Sequence, residues 1–188
     1  MPPPRIVRSA GVPGGEPAEA GVCVTVPPVG ACHDTTARHW LHTDMYIHQV
    51  MWQKKPDDPT APIAISGCAL GADQDACGVW YRMGLPYVAV VPFPGQESRW
   101  PRQSQDVYAA VLKHAAGIVH VSKTVPSNHD DAVRMLHARN EWLCAAADEL
   151  IAVYDGSKGG TSNCIYQWNR FHSYDKLHRI DPREISSS

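Results

Sequence analysis

With 188 residues, 44% of them apolar, the chain carries enough material for one sizeable globular domain. A net charge of −2 offers no broad basic surface and argues against nucleic acid as a partner. No apolar run approaches the ~20 residues of a membrane helix, and six scattered cysteines without a C-x-x-C pair read as reduced thiols of a cytoplasmic protein rather than disulfides or a zinc site.

Residues 1–20 are proline- and glycine-punctuated without periodicity and read as a loosely packed arm that shows no signal peptide, since Arg5 and Arg8 are followed by no hydrophobic stretch. Val22 to Val26 is the first predicted strand, stopped by Pro27-Pro28. Ala37, Leu41, Met45 and Trp52 then recur at helical spacing behind a cap at Asp34 or Thr35. His39 and His42 share a face of that helix but lack a third ligand, so no metal is expected.

Pro62 to Ser66 is the second strand, and the turn GCALGADQD feeds a helix lined by Ala76, Val79, Trp80 and Met83. Tyr87 to Val91 is the third strand, followed by the proline-rich loop PFPGQESRWPRQ and a helix marked by Val107, Tyr108, Val111 and Leu112. Ile118 to Val121 is the fourth strand, and a long helix with Ala132, Met135, Leu136 and Leu143 inward follows it. Leu150 to Tyr154 is the fifth, closed by Asp155-Gly156 and a loop ending in Gly159-Gly160-Thr161. The charged, serine-rich segment 174–188 reads as a tail, which leaves 21–173 as the domain.

Five short strands alternating with helical patterns predict an α/β fold, a Rossmann-like doubly wound parallel sheet of about five strands with helices on both faces. Right-handed crossovers place every strand-to-helix turn at one rim, where such sheets bind ligands.

Four stretches at that rim can carry chemistry. Gly67 and Gly71 flank a strand end, and Asp73 falls in the first turn of the next helix. There it either complements the helix dipole, accepts from a ribose hydroxyl or holds an arginine. Phe93 or Trp100 could stack on a base and Gln96 read its edge; alternatively both rings cap the core. Arg139 lies on the inward stripe of the long helix beside Asn140, and an inward arginine needs an anionic partner, whether Asp73, Asp155 or a ligand phosphate. Gly159, Gly160 and Thr161 stand where a strand, a glycine turn and a helix start form an anion cradle. Glycine-rich turns alone are weak signals, and these glycines could equally relieve crowding.

The stretches ISGCALGADQDA (65–76), VVPFPGQESRWP (90–101), HARNEWLCAAADELIAVYDG (137–156) and GGTSNC (159–164), in this order, resemble the SLOG superfamily of Rossmann-like nucleotide-ligand domains, in particular its YpsA-like branch. The resemblance spans about residues 21 to 172. It implies a ligand site built from Ser66, Gly67, Gly71, Asp73, Phe93, Gln96, Arg139, Asn140, Asp155, Gly159, Gly160, Thr161 and Asn163, with no cofactor.

The related LOG-type phosphoribohydrolases split a base from a nucleoside monophosphate, using an arginine on a helix and a PGGxGTxxE loop. Arg139 and Gly159-Gly160-Thr161 match that pattern, but Asn163 and Cys164 stand where its glutamate belongs, and neither can do a carboxylate's acid–base work. Asp73 or Asp155 are the candidate catalytic replacements. DprA-type domains, another relative, bind single-stranded DNA, which the acidic charge balance argues against. The first strand also departs from the branch, since Pro27-Pro28-Val29-Gly30 replaces its usual glycine-arginine-proline turn.

The reading that follows is a binder or sensor of a nucleotide or nucleotide-derived small molecule, such as a nucleoside monophosphate or an NAD- or ADP-ribose-like compound. Two alternatives stay open: an N-glycosidase on such substrates, and an interaction scaffold with a vestigial pocket. A homo-oligomer is compatible with the sequence.

Overall fold

The structure, a computed structural model, describes residues 21–25, 63–181 and 183. The expected arm, the helix carrying His39 and His42, and the end of the tail lie outside the described residues.

The elements follow in the order β1 (Gly21–Thr25), β2 (Ile63–Ser66), α1 (Ala72–Arg82), β3 (Tyr87–Val91), α2 (Arg102–His114), β4 (Gly117–His120), α3 (His129–Ala146), β5 (Glu149–Val153), α4 (Gly160–Phe171), a single 3₁₀ turn (Tyr174–Lys176) and β6 (Leu177–Ile180). One sheet contains all six strands in the order β4-β3-β2-β1-β5-β6, and every pairing is parallel. The chain therefore steps outward from β1 to β4, then crosses back to add β5 and β6 on the other side of β1. Because all strands run the same way, the turns after β2, β3 and β5 lie at one rim.

Alternation along the strands sends successive side chains to opposite faces, and each face has its own core. Ala64, Tyr87, Ala89 and Ile151 meet Ala76, Val79 and Trp80 of α1 and Tyr108 and Val111 of α2. Ile65, Val88, Val90, Leu150 and Ala152 meet Leu143 and Cys144 of α3 and Cys164 and Trp168 of α4. Helices thus cover both faces, as the strand–helix alternation predicts for a doubly wound sheet. The strands on both sides of β1 are apolar on both faces for the same reason.

One boundary differs. Leu177–Ile180, expected in the tail, forms β6, pairing with β5 from Leu150↔Leu177 to Val153↔Ile180. Half of its sequence LHRI is polar, as suits an edge strand, and it is held by partial burial of Leu177 and Ile180 rather than by an apolar run. Among the described residues, no helix is long and apolar enough to cross a membrane. Cys68, Cys77, Cys144 and Cys164 are free and buried.

Candidate functional site

The turn after β2 is closed by its own side chains. Ser66 Oγ accepts from the Cys68 amide at 3.0 Å and donates to the Asp73 carbonyl at 3.5 Å, while Asp73 Oδ2 accepts from the Ala69 amide at 3.1 Å. These bonds hold Cys68 at φ 51°, a left-handed conformation that costs a non-glycine residue of order 1–3 kcal/mol and that clusters at functional sites. Gly71 opens α1 at φ 102°, which suits a residue without a Cβ.

Arg139 reaches this turn from α3. Its residue exposure is 7%, and Nη1 stands 4.0 Å from Asp73 Oδ2. Of the partners open to Arg139 in the sequence, Asp73 is thus the carboxylate it faces. The guanidinium lies over Gly67, so close that a Cβ at that position would stand 1.5 Å from Nη1.

The pair is not a closed bridge. Asp73 Oδ1 and Arg139 Nε and Nη1 are buried without a hydrogen-bond partner among the described residues, and so is Thr161 Oγ1. Unpaired buried polar atoms each cost about 1–3 kcal/mol, more when charged; Gln74 Nε2 and the indole nitrogens of Trp80, Trp142 and Trp168 are unpartnered in the same way. Burial pushes the Asp73 carboxyl up to about 7 against the opposing pull of Arg139 and of the Ala69 amide. Asp75, partly buried in the same turn, is also raised to about 7, by desolvation and by the neighbouring Asp73 charge.

The second glycine turn completes the site from β5. Ser162 Oγ accepts from the Gly159 amide at 2.9 Å and donates to its carbonyl at 2.8 Å, closing the start of α4. The Gly160, Thr161 and Ser162 amides therefore head the helix without intrahelical acceptors. Asn140, next to Arg139, ties this helix start to α3: Nδ2 donates to the Gly160 carbonyl at 3.2 Å and to Asn163 Oδ1 at 3.0 Å. Cys164 lies close enough for its thiol to act on the Asp73 charge. Thr161, one turn earlier on the same helical face, is thereby directed to the same side.

The structure thus brings Ser66, Gly67, Gly71, Asp73, Arg139, Asn140, Gly159, Gly160, Thr161 and Asn163 to one end of the sheet. Asp155 has a different occupation: Oδ1 accepts from the Ser157 amide at 2.9 Å, and the Ser157 hydroxyl and amide hold the carboxyl below the usual range. It shapes the turn after β5. Phe93 is 8% exposed, which favours the core-capping alternative over a ring open to a base. Trp100 packs on the α1–α2 core and meets Tyr108 edge-on at 5.3 Å. Gln96 Nε2 donates to the Tyr108 hydroxyl at 2.8 Å, which fixes the amide while leaving Gln96 half-buried.

Three participants escaped the sequence reading: the Ala69 amide, Asp75 and Tyr108. The first has no signature, because any residue supplies an amide. Asp75 reads as a solvated helix-start acid and Tyr108 as a core residue; the only available signal was the second acid in one helical turn.

A family model described as the YspA SLOG family matches residues 53–185. The uncharacterized SPbeta prophage-derived protein YoqJ of Bacillus subtilis is 29% identical over 131 residues, 63% of this chain and 75% of that protein. UPF0398 protein ABC2016 of Shouchella clausii is 32% identical over 111 residues, 56% of this chain and 56% of its own length. Among solved structures, DNA processing protein A (DprA) of Helicobacter pylori, described as having a single-stranded DNA binding mode, aligns with TM-score 0.59 at 16% identity, over 87% of this chain and 66% of that one. DprA of Streptococcus pneumoniae aligns with TM-score 0.55 at 13% identity, over 86% of this chain and 50% of that one. The chain therefore spans between half and two thirds of these structural neighbours. The likeness also corrects the exclusion of nucleic acid drawn from net charge. A protein of this fold is described as binding single-stranded DNA, and a strand can be held by a few local amides and arginines that net charge does not report.

Proposed function

The chain belongs to the YspA SLOG family, and from that premise we propose that it binds a nucleotide or nucleotide-derived molecule at the rim formed by the turns after β2 and β5. The observation that carries this reading is the buried guanidinium of Arg139, whose Nε and Nη1 make no hydrogen bond, together with the Thr161 hydroxyl at the head of α4, which makes none either. A phosphate group supplies what these atoms lack: a planar guanidinium binds it bidentately, and the amides at the head of α4 add fixed partial positive charge. Gly67 leaves room for the guanidinium, and Asn140 ties α3 to the head of α4.

Free nucleotides and the nucleotide units of a single strand share this phosphate chemistry. Thermal-shift and titration measurements with nucleoside monophosphates, NAD, ADP-ribose, cyclic dinucleotides and an oligothymidylate separate the sources. Stabilisation of the wild type and not of Arg139→Ala is the expected result; equal responses of the two proteins would remove the proposal. We place the protein in a reducing compartment, the cytoplasm, because its six cysteines are scattered without a C-x-x-C pair and Cys68, Cys77, Cys144 and Cys164 are buried thiols in no disulfide.

A second reading, hydrolysis of an N-glycosidic bond, draws on one observation. Asp73 is a buried carboxyl poised at about 7, the range that suits a general acid or base. Asp155, held ionised in a turn, does not fit that role. Chromatography for free base released from the same ligands, with Asp73→Asn as control, decides it. An exposed, unpaired arginine at 139 would favour the scaffold alternative, whereas this one is 7% exposed and faces Asp73.

A further inference from the structure

We infer that capture of a phosphate-bearing ligand by Arg139 is coupled to uptake of a proton by Asp73, so that the site holds its ligand more tightly in mildly acidic than in mildly alkaline solution. The inference rests on the reading of Arg139 as the anion anchor and adds a regulation of that same site.

The geometry sets up the coupling. Arg139 Nη1 and Asp73 Oδ2 stand 4.0 Å apart with both side chains nearly excluded from water. Asp73 Oδ2 is already engaged by the Ala69 amide, and Oδ1 has no partner. The arginine still has two unpartnered nitrogen atoms. A phosphate that displaces the groups covering the guanidinium would therefore meet donors with no hydrogen bond to give up. Once there, it would place a second anion beside Asp73, whose side chain is nearly excluded from water. Like charges at such range disfavour joint ionisation, and the least costly relief is a proton from solvent onto the carboxyl. Protonated Asp73 then has an O–H to donate to a phosphate oxygen.

The surrounding groups leave the proton to the carboxylates of α1. Facing the pair are Asp75 and Cys77 on α1, Cys68 in the turn, Tyr108 on α2, Cys144 on α3 and Cys164 on α4, with Arg82 drawing on Asp75. Burial pushes Cys77 and Tyr108 upward, and the Cys164 contact together with burial does the same to Cys144, so none of these three exchanges a proton near neutrality. Asp73 and Asp75 both sit at about 7. Asp73 is the one that faces the guanidinium.

The test is calorimetric titration of the full chain with ADP-ribose, whose pyrophosphate charges stay constant across the range, and with an oligothymidylate as the single-strand source. Titrations run at pH 6, 7 and 8, each in two buffers of different ionisation enthalpy. The expected result is a binding heat that depends on the buffer near pH 7, reporting proton uptake, and an affinity that falls about tenfold from pH 6 to pH 8. Asp73→Asn, which keeps an acceptor for the Ala69 amide, is expected to bind with a flat pH profile and no buffer dependence, and Asp75→Asn to retain most of both. Binding of the wild type with equal affinity at all three pH values and no buffer dependence would overturn the coupling and leave the binding reading intact. Loss of the coupling in Asp75→Asn instead of Asp73→Asn would overturn the assigned acceptor. If neither probe binds at any pH, the reading of the site fails and the coupling with it. Should Asp73→Asn not fold, the two-buffer comparison on the wild type decides the coupling, and its retention or loss in Asp75→Asn decides the acceptor.

Discussion

Gly67 and Arg139 share one volume: a Cβ on the glycine would lie 1.5 Å from Nη1 and 2.4 Å from Cζ of the arginine. Gly67 is not among the positive-φ glycines, so its role here is space rather than backbone conformation. Gly67→Ala is therefore expected to expel the guanidinium from its place rather than to unfold the sheet. Ligand binding should fall to the level of Arg139→Ala, with a loss of a few degrees in Tm. In an Arg139→Ala background the same change should add nothing, because the obstruction is gone. Melting curves and ADP-ribose titrations on the four proteins check this; wild-type binding by Gly67→Ala would show that the guanidinium position is unimportant.

Asp73 gives stability a pH dependence of known sign. Its folded value of about 7 lies above the ordinary 3.8 it regains on unfolding. Between those values the folded chain holds a proton that the unfolded chain has lost, so this contribution is fully present below about pH 4 and is lost as pH rises to about 7. The limiting slope for one such group is about 1.4 kcal/mol per pH unit. Asp131, Asp155, Asp175 and Asp181, lowered chiefly by hydrogen bonds, contribute stability that is lost only as pH falls below the usual carboxylate range, so the two effects occupy different windows. Asp73→Asn should gain on the wild type steadily from pH 5 to pH 7 and then hold a constant margin. Urea midpoints across pH 5–8 measure it, and a pH-independent difference would contradict the raised carboxyl.

Asn140 is the link between α3 and the head of α4. Asn140→Ala leaves the Gly160 carbonyl and Asn163 Oδ1 without their donor, at a cost of about 1–3 kcal/mol. Asn140→Asp should cost more, since it sets an anion against a carbonyl oxygen. Both are expected to weaken ligand binding through misplacement of Thr161. Equilibrium unfolding together with titration tests the link; unchanged stability in Asn140→Ala would refute it.

The described thiols should be silent in the native protein. Cys68 and Cys77, with sulfurs 3.8 Å apart, and Cys144 and Cys164, 3.5 Å apart, are each fully buried. A thiol-labelling reagent followed by peptide mass mapping is expected to modify none of the four before unfolding and all four afterwards. Rapid native labelling at any of them would place it outside the core described above.

Removal of the chain beyond Tyr174 deletes β6 and bares the edge of β5. It also exposes the surface that Leu177 and Ile180 cover on the two sheet faces. The truncated protein is expected to melt several degrees lower and to aggregate on concentration, as an uncovered parallel edge does. Equal stability of the two forms would show β6 to be dispensable.

The parallel sheet was legible because its signal is local. VCVTV, PIAIS, YVAVV and ELIAVY are short apolar runs ended by glycine or proline or run into loops, and their alternation with helical stripes leaves few other architectures. The inward phase of Arg139 was legible from its spacing to Met135 and Leu143. That Asp73 rather than Asp155 faces it was not, because both are acids beside glycines after a strand. The two alternatives for Phe93 stayed open because an aromatic in a proline-rich loop has the same appearance whether its ring faces the core or the solvent. β6 escaped because an edge strand needs only partial burial and half its residues are polar.

By itself, the order of residues determined the sheet, the helices on both faces and the gathering of the glycine turns at one rim, since period, turn chemistry and chain direction act between near neighbours. Only the tertiary structure decided which buried polar atoms meet there and which are left without partners. That outcome depends on how α3 crosses the end of β2, on the absence of a Cβ at Gly67, and on the loss of water around Asp73. These relations between distant segments are set by packing, and no local pattern encodes them.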